Sequence, residues 1–75
     1  MNESMVMNLL LKARFTRSVA KMIIKENRVA IWDNIDEFVR EWKLDIDELR
    51  NGDYEDMETV IYNNHEYVLV YMFFN

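Results

Sequence analysis

The chain has no cysteine and no proline, one glycine (Gly52) and one histidine (His65). Without cysteine there is no disulfide and no thiolate metal site, so these 75 residues lack the staples that small domains commonly use. A chain this short buries only about 60–65% of the surface it exposes when unfolded, and its stability margin is about a few kcal/mol. One glycine cannot build a phosphate-cradling loop, which excludes the glycine-rich nucleotide motifs. A lone histidine in a turn-like stretch, with no orienting carboxylate, makes neither a general base nor a metal centre. Ser4 and Ser18 sit in no nucleophile motif. Long apolar runs are also missing. The longest, Met5–Met7 and Leu9–Leu11, are split by Asn8 and fall far short of the ~18 residues a membrane span needs. The N-terminus lacks the basic segment and cleavage site of a signal peptide. Together these absences predict a soluble, cytoplasmic, non-catalytic protein with no cofactor and no membrane association.

What is present is apolar and aromatic surface. Apolar residues make up 51% of the chain, with ten aromatic residues and six methionines, more than so small a core uses. Part of that surface is expected to face a partner or a second copy. Charge is divided by position. Residues 1–28 carry six basic and two acidic side chains, and residues 29–75 carry three basic and twelve acidic ones, for a net charge of −5. Such a dipolar chain has surfaces suited to charged partners.

No glycine or proline interrupts the first third, so Ser4–Asn27 reads as one long helix, with residues 1–4 ragged. Leu9, Leu11, Phe15, Val19, Ala20, Met22 and Ile23 share an apolar arc at helical spacing. Arg14, Arg17, Lys21 and Lys25 form a basic stripe opposite it. A competing pattern exists: Leu11, Ala13 and Phe15 alternate with Lys12, Arg14 and Thr16, as in a strand, which would give a three-stranded sheet. The stripe continues to Lys25, where the alternation fails, and this favours helix. Asn27–Ile31 reads as a connector. A second helix is expected from an Asp33 cap, with Ile35, Phe38, Val39 and Trp42 on its buried face. Asp45 caps a short third helix, Ile46 to Arg50, which ends at Asn51-Gly52. Two strand-like runs follow, Met57–Tyr62 and Glu66–Phe74, around a hairpin turn at Asn63-Asn64-His65, with Asn64-His65 as the two-residue loop that would set the faces.

The predicted fold is a small single α+β domain over residues 1–75. A long N-terminal helix and one or two short helices pack on a C-terminal antiparallel β-hairpin. Its expected core is Leu11, Phe15, Val19, Met22, Ile35, Phe38, Val39, Trp42, Ile61, Val68 and Val70. One hairpin face carries Met57, Thr59, Ile61, Val68, Val70 and Met72. The other carries Glu58, Val60, Tyr62, Tyr67, Leu69, Tyr71 and Phe73, and is too aromatic for an ordinary solvent face. That second face, together with the methionine-rich N-terminus, predicts self-association as a homodimer.

The acids do not match a calcium loop, which needs alternate oxygen donors, a following glycine and a later glutamate; Asn51-Gly52-Asp53 runs in the wrong order. Acids interleaved with tyrosine suit a basic groove on another protein, with carboxylates standing in for phosphates and rings supplying contact area. The candidate protein-binding residues are Asp45, Asp47, Glu48, Asp53, Tyr54, Glu55, Asp56 and Glu58, with Tyr62 and Tyr67 as anchors. The bland alternative is a solvated acidic face. Arg14, Arg17, Lys21 and Lys25 are the candidate contacts for direct nucleic-acid binding, an expectation that the net negative charge opposes.

In composition (very short, acidic, free of Cys and Pro, without enzyme motifs) the chain resembles small phage-encoded proteins that block a host enzyme, including anti-CRISPR proteins and other nucleic-acid mimics. The resemblance implies an inhibitor aimed at a nucleic-acid-processing host protein and assigns no residue. The function expected is a protein-binding inhibitor or adaptor that offers its acidic surface to a basic partner. The alternatives are a nucleic-acid-binding regulator and a purely structural oligomerisation domain.

Overall fold

In the order of the chain, the elements are α1 (Glu3–Lys12), α2 (Arg17–Lys25), β1 (Val29–Trp32), α3 (Ile35–Trp42), α4 (Ile46–Arg50), β2 (Met57–Tyr62) and β3 (His65–Tyr71). The computed structural model describes residues 1–73. The three strands form an antiparallel sheet in the order β1-β3-β2, and the α+β class is as the sequence predicts.

Directly opposed residues of an antiparallel pair share a face, so the register sorts the sheet into two sides. Val29, Ile31, Glu58, Val60, Tyr62, Tyr67, Leu69 and Tyr71 lie on one side. Ala30, Trp32, Met57, Thr59, Ile61, Val68 and Val70 lie on the other. Each side has its own core. Leu9, Leu10, Ala20 and Ile23 of α1 and α2 bury Val60, Leu69 and Tyr71. Ile35, Phe38 and Leu49 of α3 and α4 bury Val68 and Val70. The protein is therefore a three-layer sandwich with a helix pair on each face of the sheet. The face read as aromatic and partner-seeking is covered by α1 and α2, which removes the basis for a homodimer through that face.

The single helix Ser4–Asn27 is the main correction. Such a helix would be about 36 Å long, while a six-residue strand spans about 20 Å, so it would overhang the sheet. The chain instead folds back after Lys12 and lays two short helices side by side. The break is a complete Schellman turn: the Phe15 N–H donates to the Leu10 carbonyl (3.1 Å) and the Arg14 N–H to the Leu11 carbonyl (3.0 Å). Arg14 takes the left-handed conformation usually given to glycine, at φ 77°. Thr16 then caps α2, its hydroxyl accepting from the Val19 N–H (3.3 Å). The alternative strand at residues 9–16 is not formed. The third strand is β1, in the segment read as a connector.

Two finer corrections concern turns. Asn34, not Asp33, caps α3, its side chain accepting from the Glu37 N–H (3.0 Å). The hairpin turn falls in the expected Asn63-Asn64-His65 stretch, but its two loop residues are Asn63-Asn64, both at positive φ (51° and 61°), and His65 pairs with Tyr62 as a strand residue. Each β2 residue therefore pairs two places earlier than an Asn64-His65 turn would dictate, which leaves the two faces unchanged. Phe74, in the expected second strand, lies outside the described residues. The expected caps at Asp45 and Gly52 are found: the Asp45 carboxylate accepts from the Asp47 and Glu48 N–H groups, and Gly52 is at φ 77°.

Of the expected core, Ile35, Phe38, Val68 and Val70 are buried and Leu11, Phe15 and Val39 half-buried. Val19, Met22, Trp42 and Ile61 are exposed. The buried set in α1 and α2 is Leu9, Leu10, Ala20 and Ile23, of which Leu9, Ala20 and Ile23 lie on the apolar arc read from the sequence and Leu10 does not. Phe38 is fully buried between Trp32 (ring centroids 5.2 Å apart) and Trp42 (5.0 Å). Phe38→Ala removes the centre of that stack and should cost about 3–5 kcal/mol, enough to abolish a cooperative melt in a domain of this size. Met22→Ala, at an exposed position, should leave the melt nearly unchanged. Thermal denaturation of the two variants checks both.

Candidate binding surfaces

The division of charge along the chain becomes a division in space. Residues 33–56, which hold α3, α4 and their loops, carry ten acidic and three basic side chains. The α1–α2 layer, on the other face of the sheet, holds most of the +4 segment. A helix layer on each side of a sheet puts the two sets about 20 Å apart, roughly twice the screening length at physiological salt. Neither set cancels the other, and the net charge of −5 does not describe the field at either surface.

The acidic candidates group around α4. Asp45, Asp47, Glu48, Asp53, Glu55 and Asp56 are all exposed. Asp45 is held as an N-cap, its Oδ1 accepting from the Asp47 (2.9 Å) and Glu48 (3.1 Å) N–H groups. The Tyr54 hydroxyl donates to Glu48 Oε2 (3.0 Å) and accepts from the Asp45 N–H (3.3 Å). Its ring packs into the α3–α4 core. Tyr54 thus fixes the acidic loop against α4 from within. Arg50, the one cation of α4, is engaged by Glu66 through a two-pronged pair at 2.9 and 3.1 Å.

Glu58, Tyr62 and Tyr67 do not join this group. They lie on the opposite face of the sheet, half-buried under α1 and α2. The Tyr62 hydroxyl accepts from Asn8 Nδ2 (3.0 Å), and Glu58 accepts from the Tyr71 hydroxyl (3.0 Å). The exposed aromatic of the acidic layer is Trp42, 46% accessible at the end of α3. It continues the Ile35-Phe38-Val39 spacing, which predicts a core position, but as the last residue of α3 it stacks on Phe38 and stays exposed. His65 is a paired strand residue whose Nε2–H donates to the Asp33 carbonyl. Among the described residues, no three His, Asp or Glu side chains converge as metal ligands.

Of the basic stripe, Arg17, Lys21 and Lys25 lie four residues apart along one flank of α2. They line a groove of about 740 Å³ against Glu3, Ser4, Met7 and Asn8 of α1. Arg14 is displaced into the α1–α2 corner and does not line it. Among the described residues, ion pairs form at Arg28–Glu26 and Arg50–Glu66, and none engages these three cations. No described helix is long and apolar enough to cross a membrane. No family model, curated protein or solved structure matches the chain.

Tyr71 supplies a pH handle. Burial pushes its phenol up, and the adjacent Glu58 carboxylate raises it further. The folded phenol holds its proton to higher pH than the unfolded one. Its contribution is therefore fully present below about pH 10, the ordinary phenol value, and is lost as pH rises through the folded value. Urea melts should show stability falling above about pH 10, with a shallower fall in Tyr71→Phe. An alkaline limb in Tyr71→Phe as steep as in wild type would assign the fall to other groups.

Proposed function

We propose that the protein is a non-catalytic binding module that offers the acids of α4 and the following loop to a basic surface on a partner protein. The partner we favour is a nucleic-acid-processing enzyme whose groove the acids occupy as phosphate substitutes, so that binding inhibits it. The observation that carries this reading is a cluster of exposed acids on α4 and the following loop, Asp45, Asp47, Glu48, Asp53, Glu55 and Asp56, in which Asp45 and Glu48 are held in place by the N-cap and by the Tyr54 hydroxyl and no ion pair engages any of the six among the described residues. Pre-organised charge loses less on binding than charge on a mobile loop. Single exposed ion pairs contribute about 0–1 kcal/mol each, so the affinity rests on their number, and their field speeds encounter. Tyr62 and Tyr67 have no part in this surface.

Pull-down from host lysate with wild type and an Asp53→Lys, Glu55→Lys, Asp56→Lys variant tests it. Nucleic-acid-processing proteins should be recovered by wild type and lost by the variant. Equal recovery of the same partner by both would reduce the acids to a solubility feature.

One observation favours a second reading, nucleic-acid binding in the α1–α2 groove: Arg17, Lys21 and Lys25 line it against one acid, Glu3, with which none forms an ion pair, and the acidic layer lies on the far side of the sheet. On that reading an oligonucleotide binds at low salt, and Arg17→Ala and Lys21→Ala each lower the salt slope by about one. The absence of a gel shift at low salt would end it.

A further inference from the structure

Both edges of the sheet are unpaired, and they are not alike. β1 has four residues, all half-buried, between Arg28 and Asp33. β2 has six, and Ile61 near its end is 61% exposed. Apart from the ladder to β3, no backbone hydrogen bond reaches Met57–Tyr62 among the described residues. Its outer row of N–H and C=O groups is open. Of the devices that guard such an edge, β2 has no proline and no lysine, and keeps one inward-drawn acid. Its one charge, Glu58, is drawn back over the sheet face by the Tyr71 hydroxyl (3.0 Å).

A groove of about 410 Å³ runs beside this edge, between Glu58–Ile61 and the α1–α2 corner, where it is lined by Lys12 and Arg14. A strand added here would place alternate side chains on the two faces of the sheet. On the α1 side it would meet Lys12 and Arg14 beside the single acid Glu58, a net positive lining that favours an acid. On the other side it would meet Thr59 and Ile61 and favour apolar groups. β2 has this alternation itself, with Glu58 on the α1 side and Thr59 and Ile61 on the other.

We infer that the β2 edge takes the β2 strand of a second copy of this chain, antiparallel and about a two-fold axis near Val60, to form a continuous six-stranded sheet. That register sets Thr59 against Ile61 of the second copy and buries both exposed Ile61 side chains. It also brings each Glu58 to the side on which Lys12 and Arg14 of the other copy lie. A two-fold arrangement uses each open edge once and closes, leaving only the short β1 edges. The acidic array of α4 takes no part, so the inference stands apart from the partner proposed above.

Sedimentation equilibrium on the whole chain tests it. Wild type should form a two-chain species. Ile61→Lys, at an exposed site opposite Glu66, should keep the wild-type melt at concentrations where both are single chains and weaken pairing by about tenfold or more. Raising ionic strength from about 0.1 M to about 1 M should also weaken it, since the screening length falls from about 10 Å to about 3 Å. Hydrogen exchange of β2 amides should slow as concentration rises. A single chain at every concentration would overturn the inference, as would a two-chain species that is indifferent to Ile61→Lys or protected on the Val19–Met22 flank of α2 instead. Slow β2 exchange that appears only when another protein's peptide is added would assign the edge to that peptide and would equally overturn it.

Discussion

Leu69 in the middle strand is buried under α1 and α2, while its neighbours Val68 and Val70 are buried under α3 and α4. The rest of the molecule follows from that alternation. A central strand that is apolar on both sides needs cover on both sides, as in buried sheets generally. Three short strands offer little area, so each cover must be short and wide. Two antiparallel helices of 10 and 9 residues meet that need on one face, and helices of 8 and 5 residues meet it on the other.

Short helices require many helix ends, and the chain terminates all four in the same way. Arg14, Asn27, Lys43 and Gly52 each take a left-handed conformation, and the next residue's N–H turns back to the carbonyl five residues before it. Only one of the four is glycine. A non-glycine residue in this conformation costs about 1–2 kcal/mol, which is large against a margin of a few kcal/mol. At Arg14 and Lys43 the cost is offset because the residue that follows packs inward. After Arg14 comes Phe15, in edge contact with Tyr71 at 5.4 Å, and after Lys43 comes Leu44, in the α3–α4 core.

The same layering sets the electrostatics. With the sheet as spacer, the basic N-terminal helices and the acidic α3–α4 unit act as separate surfaces rather than as a neutralised pair. Each is available to a partner of opposite sign, and the sheet edge between them is available to a strand.

Much was legible in the residues alone. Period-two alternation placed β2 and β3 and sorted their faces, because a strand's side chains alternate whatever the register. The Asp45 cap and Gly52 marked α4, since both act through their immediate neighbours. The α1–α2 break was not legible. Its αL residue is an arginine, and only the packing of Phe15 makes that conformation worthwhile. Nor was β1, whose four residues are held as a strand by pairing with β3, a contact from the far end of the chain. The acids of the α4 loop could be named from sequence because short charged residues in a turn stay in water. The fate of the tyrosines could not. A tyrosine on an apolar strand is an anchor if its face is open and a core residue if a helix covers it. That choice was made by the number of helices the N-terminal segment became, which long-range packing decides and local pattern does not.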